Sequence, residues 1–232
     1  MMMANVCVML LTFIHSMSAV YYDIHTHNRM HEPGVVQVYN MHQPLTATAD
    51  NGLLSAGLHP WYITDVATEM AMLEQLAASD NVIAIGECGL DKVCATDMAI
   101  QMDAFGRQIA LAERLRKPLI IHCVRAYEEV TAMLTKRRVS VPVVFHGYNK
   151  KRELAEQLTA RGWYLSFGSA LLKSSSAGDA LAAIPADRFL LETDNSSISV
   201  REIYSKAAGI RKEREDELIL QLKSNFKNVF GR

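Results

Sequence analysis

The chain has 232 residues, and its 24 basic and 25 acidic side chains leave a formal net charge of −1. Half of it is hydrophobic, enough to bury a sizeable core in one barrel-sized domain or two small ones. The near-balance of charge excludes a generally basic protein that coats nucleic acid, but not one that grips a few phosphates locally.

At the N-terminus, Val6 to Ile14 is apolar and Ser16-Met17-Ser18-Ala19 resembles a signal cleavage region, yet no Lys or Arg precedes the run. The run is also shorter than the roughly 20 residues a bilayer span takes. Met17 is an alternative start. Residues 1–18 are therefore read as an extension outside a single domain over 19–232, against the alternatives of an ordered element or an export signal. Cys7, Cys88, Cys94 and Cys123 form no C-x-x-C pair. Reduced, packed thiols in a cytoplasmic protein are expected, with no membrane association.

Eight short apolar runs read as strands: Val20–Ile24, Val35–Tyr39, Leu53–Leu58, Val82–Gly86, Leu119–His122, Val143–His146, Trp163–Phe167 and Phe189–Glu192. Amphipathic stretches between them read as helices over Asp65–Ala78, Thr96–Arg116, Tyr127–Arg137, Lys150–Ala160, Ala177–Ala183 and Ser199–Ala207, with a final one over Arg211–Val229. Nearly all-apolar strands separated by helices predict a parallel sheet, and eight of them predict a closed (β/α)8 TIM barrel. The first three runs lie too close together for full crossovers, so helices are expected to be missing near residues 28–52, leaving the barrel distorted.

Polar residues fall at the ends of these runs. Asp23-Ile24-His25-Thr26-His27 follows the first strand, and residues two apart in an extended chain share a side, so both imidazoles can reach one ion. His59 follows the third run, Glu87 the fourth, His122 the fifth, His146 the sixth and Asp194 the eighth. In a parallel barrel these ends converge on the face where active sites lie. Each residue alone has an ordinary structural reading. As a set, His25, His27, Glu87, His122, His146 and Asp194 point to two divalent ions, with His25, His27 and Asp194 on one, His122 and His146 on the other, and Glu87 between them. Such a pair lowers the pKa of water toward about 7 and clamps both oxygens of a displacement. Glu87 and Asp194 are the catalytic carboxylates on this reading, with Asp194 the base. The donor types admit Zn, Mg, Mn, Ni or Fe.

The motifs DIHTH, AGLHPW, AIGECGLDK, KPLIIHC, the His146 strand end, YLSFG and LLETD, in this order over residues 20–194, resemble those of the TatD-like metal-dependent hydrolases of the amidohydrolase superfamily. The resemblance implies a distorted barrel, the same six ligands around two metals, and phosphodiester hydrolysis, typically of DNA ends, as in a 3′-5′ exonuclease. Many members of the superfamily bridge their metals with a carboxylated lysine, so Glu87 in that role points to the TatD-like branch. The chain departs from the family's pattern at Val124, where an arginine is usual and here follows as Arg125, at Asn195-Ser196-Ser197 in place of Ala-Pro, and at Trp61 in place of a histidine.

Candidate substrate contacts are His59, Arg125, Lys150 and Trp61, with Lys151, Arg152, Lys173 and Arg201 as further cations for phosphates and Tyr62 as a second aromatic. Lys136-Arg137-Arg138 ends a helix and is expected at the far face. His15, His31 and His42 hold no strand-end position and are read as surface residues. The expected partner is a nucleic-acid end or another small phosphodiester or ester. Two other readings stand beside it: a different hydrolase on the same metals, such as an aminoacyl-RNA deacylase, lactonase or deaminase-like enzyme, and a non-catalytic metal-binding protein.

Overall fold

The computed structural model describes residues 19–29, 32–41 and 52–231. The expectations for residues 1–18, His31, His42 and most of the connection over 42–52 lie outside them. Eight strands, β1 (Tyr21–Thr26), β2 (Val35–Met41), β3 (Leu53–Ala56), β4 (Val82–Asp91), β5 (Leu119–Val124), β6 (Val143–Phe145), β7 (Tyr164–Phe167) and β8 (Phe189–Leu191), form one parallel sheet in sequence order. Helices α1 (Val66–Ala77), α2 (Met98–Leu115), α3 (Tyr127–Lys136), α4 (Arg152–Ala160), α5 (Ser175–Ala183), α6 (Val200–Arg211) and α7 (Glu215–Phe230) follow from β3 onward. Asp65, Asp97, Ser174 and Ser199 start four of them by accepting bonds from first-turn amides.

The sheet closes into a barrel whose β8–β1 seam is joined only at its upper end, where the Asp194 amide donates to the His25 carbonyl at 2.9 Å and the His27 amide to the Asp194 carbonyl at 3.0 Å. Lower down, a helix takes the place of the missing strand pairing. The buried Tyr204 hydroxyl of α6 accepts from the Tyr22 amide at 3.0 Å and donates to the Tyr22 carbonyl at 3.2 Å. Tyr204→Phe keeps the ring but orphans both groups, so we expect a loss of about 1–3 kcal/mol in urea unfolding. An unchanged midpoint would mean that water replaces the hydroxyl.

One apolar cluster lies between strands and helices. A second fills the barrel, where Ile24, Val38, Ala84, Ile120, Val144 and Leu190 meet Phe226, Val229 and Phe230 of α7. On β5, β6 and β8 the alternation of side chains then sets His122, His146 and Glu192, two residues beyond Ile120, Val144 and Leu190, on the same inner face nearer the C-terminal rim.

Three sequence expectations need correction. β4 runs to Asp91, not Gly86, because its register against β5 shifts between Ile85 and Cys88 and pairing then resumes. Gly89 permits this approach: a Cβ there would sit 2.0 Å from the His122 carbonyl oxygen. The final amphipathic segment is not one helix from Arg211, since α6 continues to that residue and the left-handed Lys212 (φ 57°) breaks it from α7. Helix α5 begins at Ser175, two residues earlier than expected, because Ser174 caps it. The connection between β1 and β2 carries no helix among its described residues, as expected.

Candidate metal centre

Glu87 is the hub, 4% exposed at the bulge of β4. Its two oxygens face opposite groups of imidazoles. Oε2 lies 3.4 Å from His25 Nε2 and 3.5 Å from His27 Nε2. Oε1 lies 2.7 Å from His122 Nδ1, 2.7 Å from His146 Nε2 and 3.2 Å from His59 Nε2. Asp194 completes the first group, with Oδ1 at 3.4 Å from His27 Nε2 and 3.8 Å from His25 Nε2. The two backbone bonds across the seam hold it there, at a positive φ of 53°.

Carboxylates stand behind the imidazoles. Asp91 Oδ2 is 3.0 Å from His122 Nε2 and accepts from Trp61 Nε1 at 2.6 Å, while its Oδ1 accepts from the Val93 amide at 2.7 Å. Glu192, fully buried, lies 3.4 Å from His146 Nδ1 and accepts from the Gly147 amide at 2.7 Å. Asp23 joins β1 to the start of the last loop by accepting from the Thr193 amide and hydroxyl at 2.9 and 2.7 Å. These partners fix ring orientation, as outer partners of metal-ligating histidines do. None of the three was singled out from the sequence, though each lies in a quoted motif. The available signal was spacing: Asp23 and Glu192 precede His25 and Asp194 by two residues, and Asp91 follows Glu87 by four, the intervals that share a strand face.

The electrostatics are those of a buried cation trap. Burial pushes the Glu87 carboxyl up, but His146, His122 and His25 outweigh it and hold the group well below the usual carboxylate range. Burial pushes the His146 imidazole down, and Glu87 and Glu192 reverse this, holding it well above its ordinary value. Burial followed by the charge of Glu192 raises Asp194, and burial lowers His59 and raises Asp23 to about 6. A proton shared among these imidazoles does not satisfy the site, because both ring nitrogens of His25 are buried without a well-formed hydrogen bond. Three sets of donor atoms come close enough to share an ion: His25, His27 and Glu87; His25, His146 and Asp194; His59, Glu87 and His122. The residues therefore fit divalent ions.

The six side chains expected as ligands and His59 thus meet at the C-terminal rim. They open into a cavity of about 390 Å³ that Trp61, Tyr62, Asn28 and Asn195 also line. Arg125 and Lys150 do not line it; both are exposed on the loops after β5 and β6. Arg201 is turned elsewhere. It pairs with Glu32 at 2.7 Å, bonds the Pro33 carbonyl and lies over the Tyr21 ring at the start of β1. Arg152 pairs with Glu156 on its own helix. Cys88 and Cys123 are packing residues: burial raises both thiols, that of Cys123 to about 12, far from a nucleophile at neutral pH.

A parallel barrel with a histidine–carboxylate centre at the rim of its strands defines a metal-dependent hydrolase. The family model for TatD related DNase matches residues 29–231, and the chain belongs to that family. An Escherichia coli K12 protein described as the uncharacterized metal-dependent hydrolase YcfH is 29% identical over 203 residues, covering 80% of this chain and 76% of that protein. The 3′-5′ ssDNA/RNA exonuclease TatD of Erwinia billingiae is 31% identical over 199 residues, 76% of each chain. In fold, the crystal structure of YJJV, a TatD homolog from Escherichia coli K12, superposes with a TM-score of 0.80 at 21% identity, covering 91% of this chain and 98% of that one. Among the described residues no helix is long and apolar enough to cross a membrane.

Proposed function

We propose that this hydrolase removes nucleotides from the free end of a single nucleic-acid strand by phosphodiester hydrolysis at two divalent ions. The observation that carries the reading is the division of Glu87, one oxygen toward His25 and His27, the other toward His122 and His146. In this assignment His25, His27 and Asp194 hold one ion, His122 and His146 the other, and Glu87 both, with His59 within reach of the second. Bound there, the ions supply Lewis acidity to the phosphoryl oxygens and lower the pKa of water to near neutrality. Asp194, with its side chain 40% exposed, orients the attacking water and takes its proton at Oδ1. Asp91 and Glu192 keep the His122 and His146 rings from turning.

The exonuclease reading draws further support from the Erwinia relative, from a cavity the size of a small ligand site, and from a net charge of −1, which suits an enzyme that grips one terminus better than one that tracks a duplex. A cytoplasmic setting fits the free thiols of Cys88, Cys94 and Cys123. The test is a substrate panel with defined metals after chelation. Chelation should abolish turnover, and return of a divalent ion should restore stepwise trimming of single-stranded DNA or RNA from its 3′ end, with two ions bound per chain. Turnover confined to lactones or aminoacyl-RNA would replace the nuclease reading, and a firm stoichiometry of one would overturn the two-ion centre.

A further inference from the structure

Trp61 is an exposed indole at the mouth of a polar cavity. It is 56% exposed, and its neighbour Tyr62, also lining the cavity, is 46% exposed. Exposure of so large an aromatic is unfavourable unless something covers it. Yet the ring is held firmly. Its Nε1 donates to Asp91 Oδ2 at 2.6 Å, and its backbone amide donates to His59 Nδ1 at 3.1 Å. Asp91 is itself 1% exposed and anchored by the Val93 amide and His122. The ring plane is thus set before any ligand arrives, which removes an ordering cost from binding.

The geometry also says which part of the indole is offered. Its neighbours His59, Tyr62 and His122 meet it at interplanar angles of 85°, 70° and 77°. All three contacts are edge-on, so none of these rings covers the indole face by stacking. The only polar atom of the indole is turned inward to Asp91. What remains is a flat, apolar face with a single kind of ligand, another flat ring. Its place is close to the chemistry: the His122 centroid lies 6.2 Å from that of Trp61, and His122 Nδ1 lies 2.7 Å from Glu87 Oε1.

We propose that Trp61 is a stacking subsite for one unpaired nucleobase of the nucleotide next to the scissile bond, and so a specificity-determining residue that requires a base but does not choose among bases. Every base has a π face, so stacking tolerates sequence. A base within a duplex has both faces occupied, so the subsite selects a frayed or single-stranded end. The proposal rests on the nucleic-acid reading above and adds to it the group that the enzyme grips beside the phosphodiester.

The chain has two tryptophans, and the second, Trp163, precedes β7 at the opposite end of the barrel, packed near Phe145 at 5.6 Å. A Trp163→Phe background therefore leaves Trp61 as a local fluorophore. In the metal-loaded protein, a phosphorothioate-linked single-stranded oligonucleotide should quench it, and the same oligonucleotide abasic at its terminal nucleotides should not. With hydrolysable strands, Trp61→Ala should raise KM about 5- to 150-fold, the range for loss of one base–aromatic stack. It should leave KM for abasic ends unchanged, and Trp61→Phe should recover most of the loss because it keeps a ring. Equal KM changes on basic and abasic ends, or cleavage without quenching, overturn the subsite while the nuclease reading stands. Absence of any nucleic-acid hydrolysis in the metal-loaded wild type overturns both.

Discussion

Asp194→Asn is expected to lower kcat by at least about 10²-fold, the usual scale for a lost general base, while the protein keeps its metal. Asparagine preserves the size of the side chain and one oxygen that can coordinate. It removes the charge and the ability to accept a proton. The backbone at this position should hold, because the bonds that pin it to His25 and His27 come from main-chain atoms. Desolvation and the charge of Glu192 raise the Asp194 carboxyl, which makes its anion a better proton acceptor than an ordinary surface aspartate. The loss falls on the transition state alone, so KM should move little. Turnover and metal content measured on the same preparation decide the matter. Normal turnover at full occupancy would place the base elsewhere, and His59, buried 3.2 Å from Glu87, would be the next residue to replace.

Glu87→Gln should act through the metal. Glutamine offers one acceptor oxygen and no charge where the carboxylate sets an oxygen before each group of histidines. Replacement of a partner behind a metal-binding histidine already weakens affinity about 10- to 100-fold, so loss of the central charge should weaken it by at least about 100-fold. Stabilisation by added divalent ions, which follows from their binding to the native state alone, should shrink in parallel. Loss of the pair with His146 will also lower the stability of the metal-free protein, so circular dichroism must first show that the variant is folded. A folded variant with wild-type metal content and a wild-type thermal shift would remove Glu87 from the centre.

These two residues also mark how far the sequence reaches. His25, His27, Glu87, His122, His146 and Asp194 could be found from the chain because a parallel barrel converts position at a strand end into position in space. Apolar runs ending in a polar residue are local patterns, and the convergence follows from topology. Alternation along a strand likewise assigns a side, which is why His122 and His146 share the inner face with Ile120 and Val144.

Tertiary structure decided what no local pattern encodes, namely pairing across strands and the direction taken by long side chains. Asp91 reaches His122 only because β4 passes through a bulge and regains its pairing with β5. Arg201 reads as a phosphate-binding cation from its place after a strand, but Glu32 and the Tyr21 ring capture it, because a flexible guanidinium goes to the nearest partner. Tyr204 has no sequence signature of the seam it fills, since only the gap between β8 and β1 leaves the Tyr22 amide and carbonyl in need of a partner. Trp61 is visible in the sequence as an aromatic beside His59. Its tether to Asp91 spans thirty positions and exists only once β4 has set that carboxylate beneath the rim.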